Sequence, residues 1–119
     1  MARLRCVFYD PEAFDADSRL SERALEACAR AEVDVFALAG HDEVELEGEA
    51  RSVGFVMRAL AYEPDECIGV GAALREAPVG AVWVGPLDLD VRGDHVRVAE
   101  DEELLYGAVI SELAERRQR

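Results

Sequence analysis

The sequence predicts a single α/β domain, residues 1–119, with a mixed sheet that starts with a parallel βαβ unit, ends in an antiparallel hairpin and is closed by a C-terminal helix. Three observations predict this fold. Short apolar runs rich in strand formers alternate with segments of helical periodicity. A strand, a helix and a strand follow one another within about 38 residues, which favours a right-handed parallel crossover. Near the end of the chain, apolar and polar residues alternate on both sides of a turn.

The parallel unit comes from the first third of the chain. The run "RLRCVFY" predicts a strand over 3–9, which ends at the turn-forming segment "DPEAFDAD". Apolar residues at helical spacing predict a helix over 18–31, with Cys28 on its buried face. The run "VDVFALAG" predicts the second strand over 33–40.

The middle of the chain gives weaker patterns. An acidic loop follows the second strand, with a short edge strand around 44–46 as an option. A second amphipathic helix is predicted over 49–62, before Pro64. The next segment predicts a short strand or turn over 66–70 and one or two helical turns that end before Pro78.

The last third contains the most regular patterns. The run "VGAVWVG" predicts a strand over 79–85 that is apolar on both faces. The segments "LDLDV" and "HVRVA" flank "RGD" with period-two alternation, which predicts the hairpin. A helix over 100–117 begins with acidic residues and ends with arginines, as the helix dipole favours.

Composition restricts the classes of function. The chain carries 26 acidic and 13 basic residues, a net charge of −13, and it contains no lysine. The acidic excess resembles that of proteins adapted to high intracellular salt. Phosphate backbones are repelled by such a surface, so no nucleic-acid partner is expected. The missing lysine excludes a Walker P-loop, a Schiff-base enzyme and a lysine-dependent kinase.

Localisation is predicted from apolar runs and cysteine usage. The N-terminal segment has no sustained apolar region, and no run approaches the roughly 18 apolar residues that a membrane span requires. Three widely spaced cysteines, Cys6, Cys28 and Cys67, form neither a disulfide framework nor a metal knuckle. We therefore expect a cytoplasmic protein with buried, reduced cysteines and no membrane contact.

The stretch "GPLDLDVRGDHVRV" resembles a calcium loop in the spacing of Asp88, Asp90 and Asp94. A loop of the EF-hand kind needs oxygen donors at its fifth and twelfth positions, and here these positions hold Arg92 and Ala99. The period-two alternation explains the spacing without a metal. We therefore predict a hairpin with solvent-facing aspartates and no metal or other cofactor.

Three residues could form an acid/base or metal site. Ligands of open α/β sheets bind beyond the carboxyl ends of the parallel strands, where the sequence places Asp10, His41 and Asp42. A carboxylate that orients an imidazole can transfer protons or bind a divalent metal. An enzyme that uses these residues is the first alternative function.

Cys67 supports a second alternative. It begins the segment "CIGVGAALRE", which resembles the region around the sulfur-accepting cysteine of DsrE-like sulfur-relay proteins. The resemblance implies a small α/β sulfur carrier that uses the Cys67 thiol.

Neither alternative has a complete set of catalytic groups in the sequence. The leading prediction is therefore a small acidic cytosolic protein that acts as a non-catalytic binding or interaction module. A homodimer is also predicted, because the final helix and the hairpin could each offer an apolar edge.

Overall fold

A seven-stranded mixed sheet forms the centre of the computed structural model, which describes residues 4–11, 20–40, 42–84, 93 and 95–98. The predicted α/β domain with a mixed sheet is confirmed. Along the sheet the strands lie in the order β4-β3-β2-β1-β5-β6-β7. Their bounds are β1 (Cys6–Tyr9), β2 (Asp34–Gly40), β3 (Glu43–Leu46), β4 (Glu49–Ser52), β5 (Cys67–Val70), β6 (Ala81–Val84) and β7 (Val96–Val98).

The parallel part of the sheet contains β1, β2, β5, β6 and β7. Helix α1 (Leu20–Arg30) connects β1 to β2, as the βαβ pattern predicts. Cys28 of α1 is 1% exposed and packs with Val7 and Ile68 on one face of the sheet. The sheet thus separates two apolar clusters, one beneath α1 and one on the opposite face.

The predicted helix over 49–62 is wrong at its start, because 49–52 form strand β4. A two-residue turn at Glu47 and Gly48, with φ of 54° and 83°, reverses the chain between β3 and β4. Positive φ at both positions is typical of a type I′ hairpin turn. The chain becomes helical only after Ser52, whose Oγ accepts a hydrogen bond of 3.1 Å from the Phe55 N–H.

Helix α2 (Val53–Ala59) is also shorter at its end than predicted. Ala61 adopts φ of 58°, in the left-handed region. The Tyr62 N–H then donates to the Met57 carbonyl at 2.8 Å, and the Ala61 N–H donates to the Arg58 carbonyl at 3.3 Å. These two bonds form a Schellman motif, which ends the helix and turns Tyr62 back towards the sheet.

The segment between α2 and β6 follows its prediction closely. A short 3₁₀ helix over Pro64–Glu66 leads into β5, and a second one over Ala72–Leu74 follows it. Gly69 of this segment allows close packing, because a Cβ there would lie 2.9 Å from the Leu74 Cβ.

Strand β7 is the last of the described strands on its side of the sheet and pairs in parallel with β6, Val82 opposite Val96. The first strand of the predicted hairpin and the predicted C-terminal helix lie outside the described residues. Both therefore stay predictions. Among the described residues, no helix has the length and apolar character needed to cross a bilayer.

Candidate functional site

Asp10 and Asp42 follow strands at the carboxyl side of the parallel sheet. The half-buried Asp10 donates its backbone N–H to the Val70 carbonyl at 2.8 Å. Asp42 is exposed, and its carbonyl accepts from the Val53 N–H at 3.1 Å. His41 lies outside the described residues, so its predicted pairing with Asp10 stays a prediction.

The weak metal candidates Asp88, Asp90 and Asp94 also lie outside the described residues. Within the part of the chain that the structure describes, no group of three or more His, Cys, Asp or Glu side chains is placed to hold a metal ion.

Cys67 lies at the opposite end of the parallel strands from Asp10. It begins β5, where its register partner on β1 is Cys6, and both side chains are fully buried. The side-chain hydrogen bond with Cys67 and burial raise the pKa of the Cys6 thiol far above its usual range. A sulfur carrier needs an accessible thiolate, so this role would require Cys67 to leave the buried position that it occupies here.

A network of polar contacts joins the amino ends of the strands, and we call it the amino-end cluster: Arg5, Asp34, Tyr62 and Glu66. The Tyr62 hydroxyl donates to the Asp34 carboxylate. The Arg5 guanidinium lies 5.0 Å from the centre of the Tyr62 ring and contacts the Glu66 carboxylate at 3.5 Å. Burial and then the bond to Asp34 raise the pKa of Tyr62 above its usual range. These groups have partners within the protein, which identifies the cluster as a structural connection between β1, β2 and the segment after α2.

On the other side of Tyr62 lies a groove of about 370 Å³, which we call the α2 groove. Its first wall carries Gly54, Met57, Arg58 and Ala61. Gly54, Met57 and Arg58 have the i, i+3 and i+4 spacing of one face of α2, and Ala61 follows the end of the helix. The wall is mostly apolar, with one guanidinium.

The second wall of the α2 groove combines residues just after α2 with Pro78, which is distant in sequence. Pro64 and Pro78 face α2, and Glu63 lies beside them. The two walls approach each other at Gly54, where a Cβ would lie 3.7 Å from the Pro78 Cγ and 3.4 Å from Arg58 Nη1, both ordinary contact distances.

Arg58 differs from Arg5 and Arg51 in its pairing. Arg5 pairs with Glu66 and Arg51 pairs with Glu49. Arg58 is exposed, and among the described residues no carboxylate lies within ion-pair distance of it. The guanidinium thus has five hydrogen-bond donors available at the edge of an apolar groove.

Sequence analysis did not find the α2 groove. The predicted helix over 49–62 contains the residues of the first wall at helical spacing. The same spacing is typical of a helix face that packs in the core, so it does not identify a groove. The distinguishing feature is the approach of Pro78 to Gly54, 24 positions apart, and only the tertiary structure provides it.

Comparisons with known proteins give little further information. No protein-family model matches the chain, and no curated protein matches it. A crystal structure from Peptoclostridium difficile 630, described as a "putative lipoprotein" fragment, shares 13% sequence identity. That match covers 92% of this chain and 98% of the other, with a TM-score of 0.39.

Proposed function

We propose that this protein is a non-catalytic binding module, and that its ligand is a small apolar molecule with a carboxylate group, bound in the α2 groove. The observation that carries the proposal is Arg58, which has no carboxylate partner among the described residues and lies beside an apolar concavity. What sets Arg58 apart from other exposed arginines, such as Arg30, is its place in the lining of the groove.

The chemistry of the groove favours this ligand class. A guanidinium can hold a carboxylate by two parallel hydrogen bonds, which gives both affinity and orientation. The apolar body of the ligand would contact Met57, the ring of Tyr62 and the two prolines. The volume of about 370 Å³ lies at the small end of the range of ligand pockets, about 300–1,000 Å³.

The lining argues for binding rather than catalysis. The Tyr62 hydroxyl already donates to Asp34, so it does not provide a free acid for the groove. Glu63 is exposed, where a carboxylate keeps its ordinary solvation. None of the lining residues is a Ser, Cys or His that could act as a nucleophile or relay a proton.

Location and partners form part of the same proposal. We place the protein in the cytoplasm, with the predicted C-terminal helix closing the sheet, and without nucleic-acid or membrane partners. The net charge of −13 supports the statement about partners, because it opposes association with phosphate backbones and anionic lipid surfaces.

A screen with matched ligand pairs tests the function. Each apolar or aromatic carboxylic acid would be paired with its primary amide, which has the same shape and no charge. We expect the acids to raise the melting temperature of the wild-type protein more than the amides do. The variant Arg58→Gln should lose this preference. Arg30→Gln, which removes an exposed charge from α1 on the other face of the sheet, should retain it. The proposal fails if no acid binds, or if Arg58→Gln binds acids as the wild type does.

A further inference from the structure

We propose that β4 pairs with β4 of a second copy of this chain, in an antiparallel arrangement with the two-fold axis at Ala50. The partner that binds this edge is therefore a second copy of the same protein. The proposal rests on different residues from the α2 groove and does not depend on what the groove binds.

Among the described strands, β4 forms the edge of the sheet at the β3–β4 hairpin, and no described strand pairs with its outer side. It is the terminal strand in the sheet order, and all four of its residues, Glu49–Ser52, are exposed. An exposed edge presents backbone donors and acceptors that another strand can pair with. The structure contains no proline in this strand that would prevent such pairing.

The turn between β3 and β4 determines which backbone groups face outwards. In a two-residue hairpin the residues that flank the turn, here Leu46 and Glu49, exchange hydrogen bonds with each other. Because the pattern alternates, the N–H and C=O of Ala50 point away from β3. Two copies related by an axis at Ala50 would exchange two hydrogen bonds through these groups.

The side chains of β4 are self-complementary in this register. With Ala50 opposite Ala50 of the second copy, Glu49 lies opposite Arg51 of the second copy, and Arg51 opposite its Glu49. Within one chain Arg51 already contacts the Glu49 carboxylate, so both side chains lie on the same face of the sheet. Cross-strand pairs that do not share backbone hydrogen bonds bring their side chains closest, which suits two symmetric ion pairs.

An apolar contact would accompany the ion pairs. The Arg51 guanidinium lies 4.9 Å from the centre of the Phe55 ring, and Phe55 is 40% exposed although it is a large apolar residue. The opposite face of the strand carries the small side chains of Ala50 and Ser52, which do not obstruct a second copy.

The negative charge of the β3–β4 hairpin opposes this association at low salt. Residues 42–52 contain five acidic residues and one basic residue, so two hairpins repel each other at long range. The Debye length falls from about 10 Å at 0.1 M salt to about 3 Å at 1 M, so salt suppresses this repulsion while contacts at the short strand persist. We therefore expect a weak dimer that salt strengthens.

A charge-reversal experiment tests the register. Sedimentation equilibrium would measure the mass of the wild type and of Glu49→Arg and Arg51→Glu at 0.1 M and 2 M NaCl, with circular dichroism to verify folding. We expect the wild type to approach twice the 13.1 kDa chain mass as salt rises. Each variant should dimerise at least tenfold more weakly alone, because like charges then face each other. An equimolar mixture of the two variants should restore dimers at or above the wild-type level.

A second variant tests the backbone bonds. Ala50→Pro removes the outward N–H and leaves the charges in place, so it should abolish the dimer. The proposal is overturned if the wild type stays monomeric up to millimolar concentration in 2 M NaCl. It is also overturned if both charge variants dimerise as the wild type does, or if their mixture does not restore the dimer.

Discussion

The amino-end cluster and the α2 groove lie on two sides of Tyr62 and differ in how their charged groups are paired. In the cluster, Arg5 contacts a carboxylate and an aromatic ring, and the Tyr62 hydroxyl donates to Asp34. In the groove, Arg58 has no carboxylate partner among the described residues. Groups that satisfy one another inside the protein contribute to its stability. A cation that faces an open apolar groove is available to a ligand, so the two regions should respond differently to mutation.

The largest expected effect is the removal of Tyr62, which belongs to both regions. Tyr62 is 7% exposed, and truncation of a buried aromatic side chain costs about 3–5 kcal/mol of unfolding free energy. We expect Tyr62→Ala to lose about that amount in urea denaturation. Tyr62→Phe keeps the ring and removes only the bond to Asp34, so it should lose about 0.5–1.5 kcal/mol. Equal stability of Tyr62→Ala and the wild type would contradict the structural role of this residue.

The next effect is the response to alkaline pH. Burial raises the pKa of the Cys28 thiol from 9.0 to about 11, and the pKa values of Cys6 and Tyr62 are raised as well. Below pH 9 both the folded and the unfolded Cys28 keep the proton, so its stabilising contribution is fully present. Between pH 9 and 11 the unfolded thiol ionises first, so the unfolding free energy should fall by about 2–3 kcal/mol from Cys28 alone.

Urea denaturation at several pH values measures this dependence. Cys28→Ala should show a shallower fall than the wild type over the same range. A wild-type stability that rises from pH 9 to 11 would contradict the assigned direction of the pKa shifts.

A smaller effect distinguishes binding from stability at Arg58. Loss of one guanidinium–carboxylate interaction should weaken ligand affinity about tenfold, equivalent to about 1.4 kcal/mol. The same substitution, Arg58→Gln, should leave the unfolding free energy within about 0.5 kcal/mol of the wild type, as expected for an exposed residue that has no ion-pair partner among the described residues. Isothermal titration calorimetry and urea denaturation measure the two quantities. A stability loss above 1 kcal/mol would show that Arg58 has a structural role.

The smallest effect is expected at the turn that connects the two regions. Ala61 adopts φ of 58°, which is unfavourable for a residue with a Cβ and is ordinary for glycine. We expect Ala61→Gly to raise the unfolding free energy by up to about 1 kcal/mol, measured by urea denaturation. The comparison variant Ala59→Gly, at the last residue of α2, should lower it, by less than the roughly 1 kcal/mol that glycine costs in a helix interior. A loss of stability in Ala61→Gly would contradict the Schellman motif as the end of α2.

The parts of the fold that were predictable have strong local patterns. Helix α1 and strands β1 and β2 have apolar periodicity that matches their environment, and the structure places them within a few residues of their expected bounds. The sequence pattern does not predict strand β4, because no apolar residue of "EARS" faces the core. The pattern instead extends the helix that follows back to residue 49. The turn at Glu47 and Gly48 and the cap at Ser52 were readable signals that would have separated strand from helix.

The candidate site was harder to predict than the fold. The residue types that line the groove can be read from the sequence, but the groove itself forms only in the tertiary structure. The sequence directed attention to Asp10, His41, Asp42 and Cys67, which are reactive residue types next to strands. The α2 groove is instead lined by a face of α2, two prolines and an arginine without a carboxylate partner in the described structure. No residue pattern shows which arginine lacks a partner, because ion pairs such as Arg5 with Glu66 join positions 61 residues apart.

The most direct test of the account is an amide-resolved NMR titration of the protein, at low concentration and low salt, with one acid and its primary amide from the screen. We expect the acid to shift the backbone signals of Gly54 and Ala61 and the Nε–H signal of Arg58. The Arg5 Nε–H signal, in the amino-end cluster, should stay unchanged. The neutral amide should bind at least tenfold more weakly. Equal affinity for the two ligands, or shifts confined to residues outside the α2 groove, would contradict the claim that Arg58 makes this groove a carboxylate-binding site.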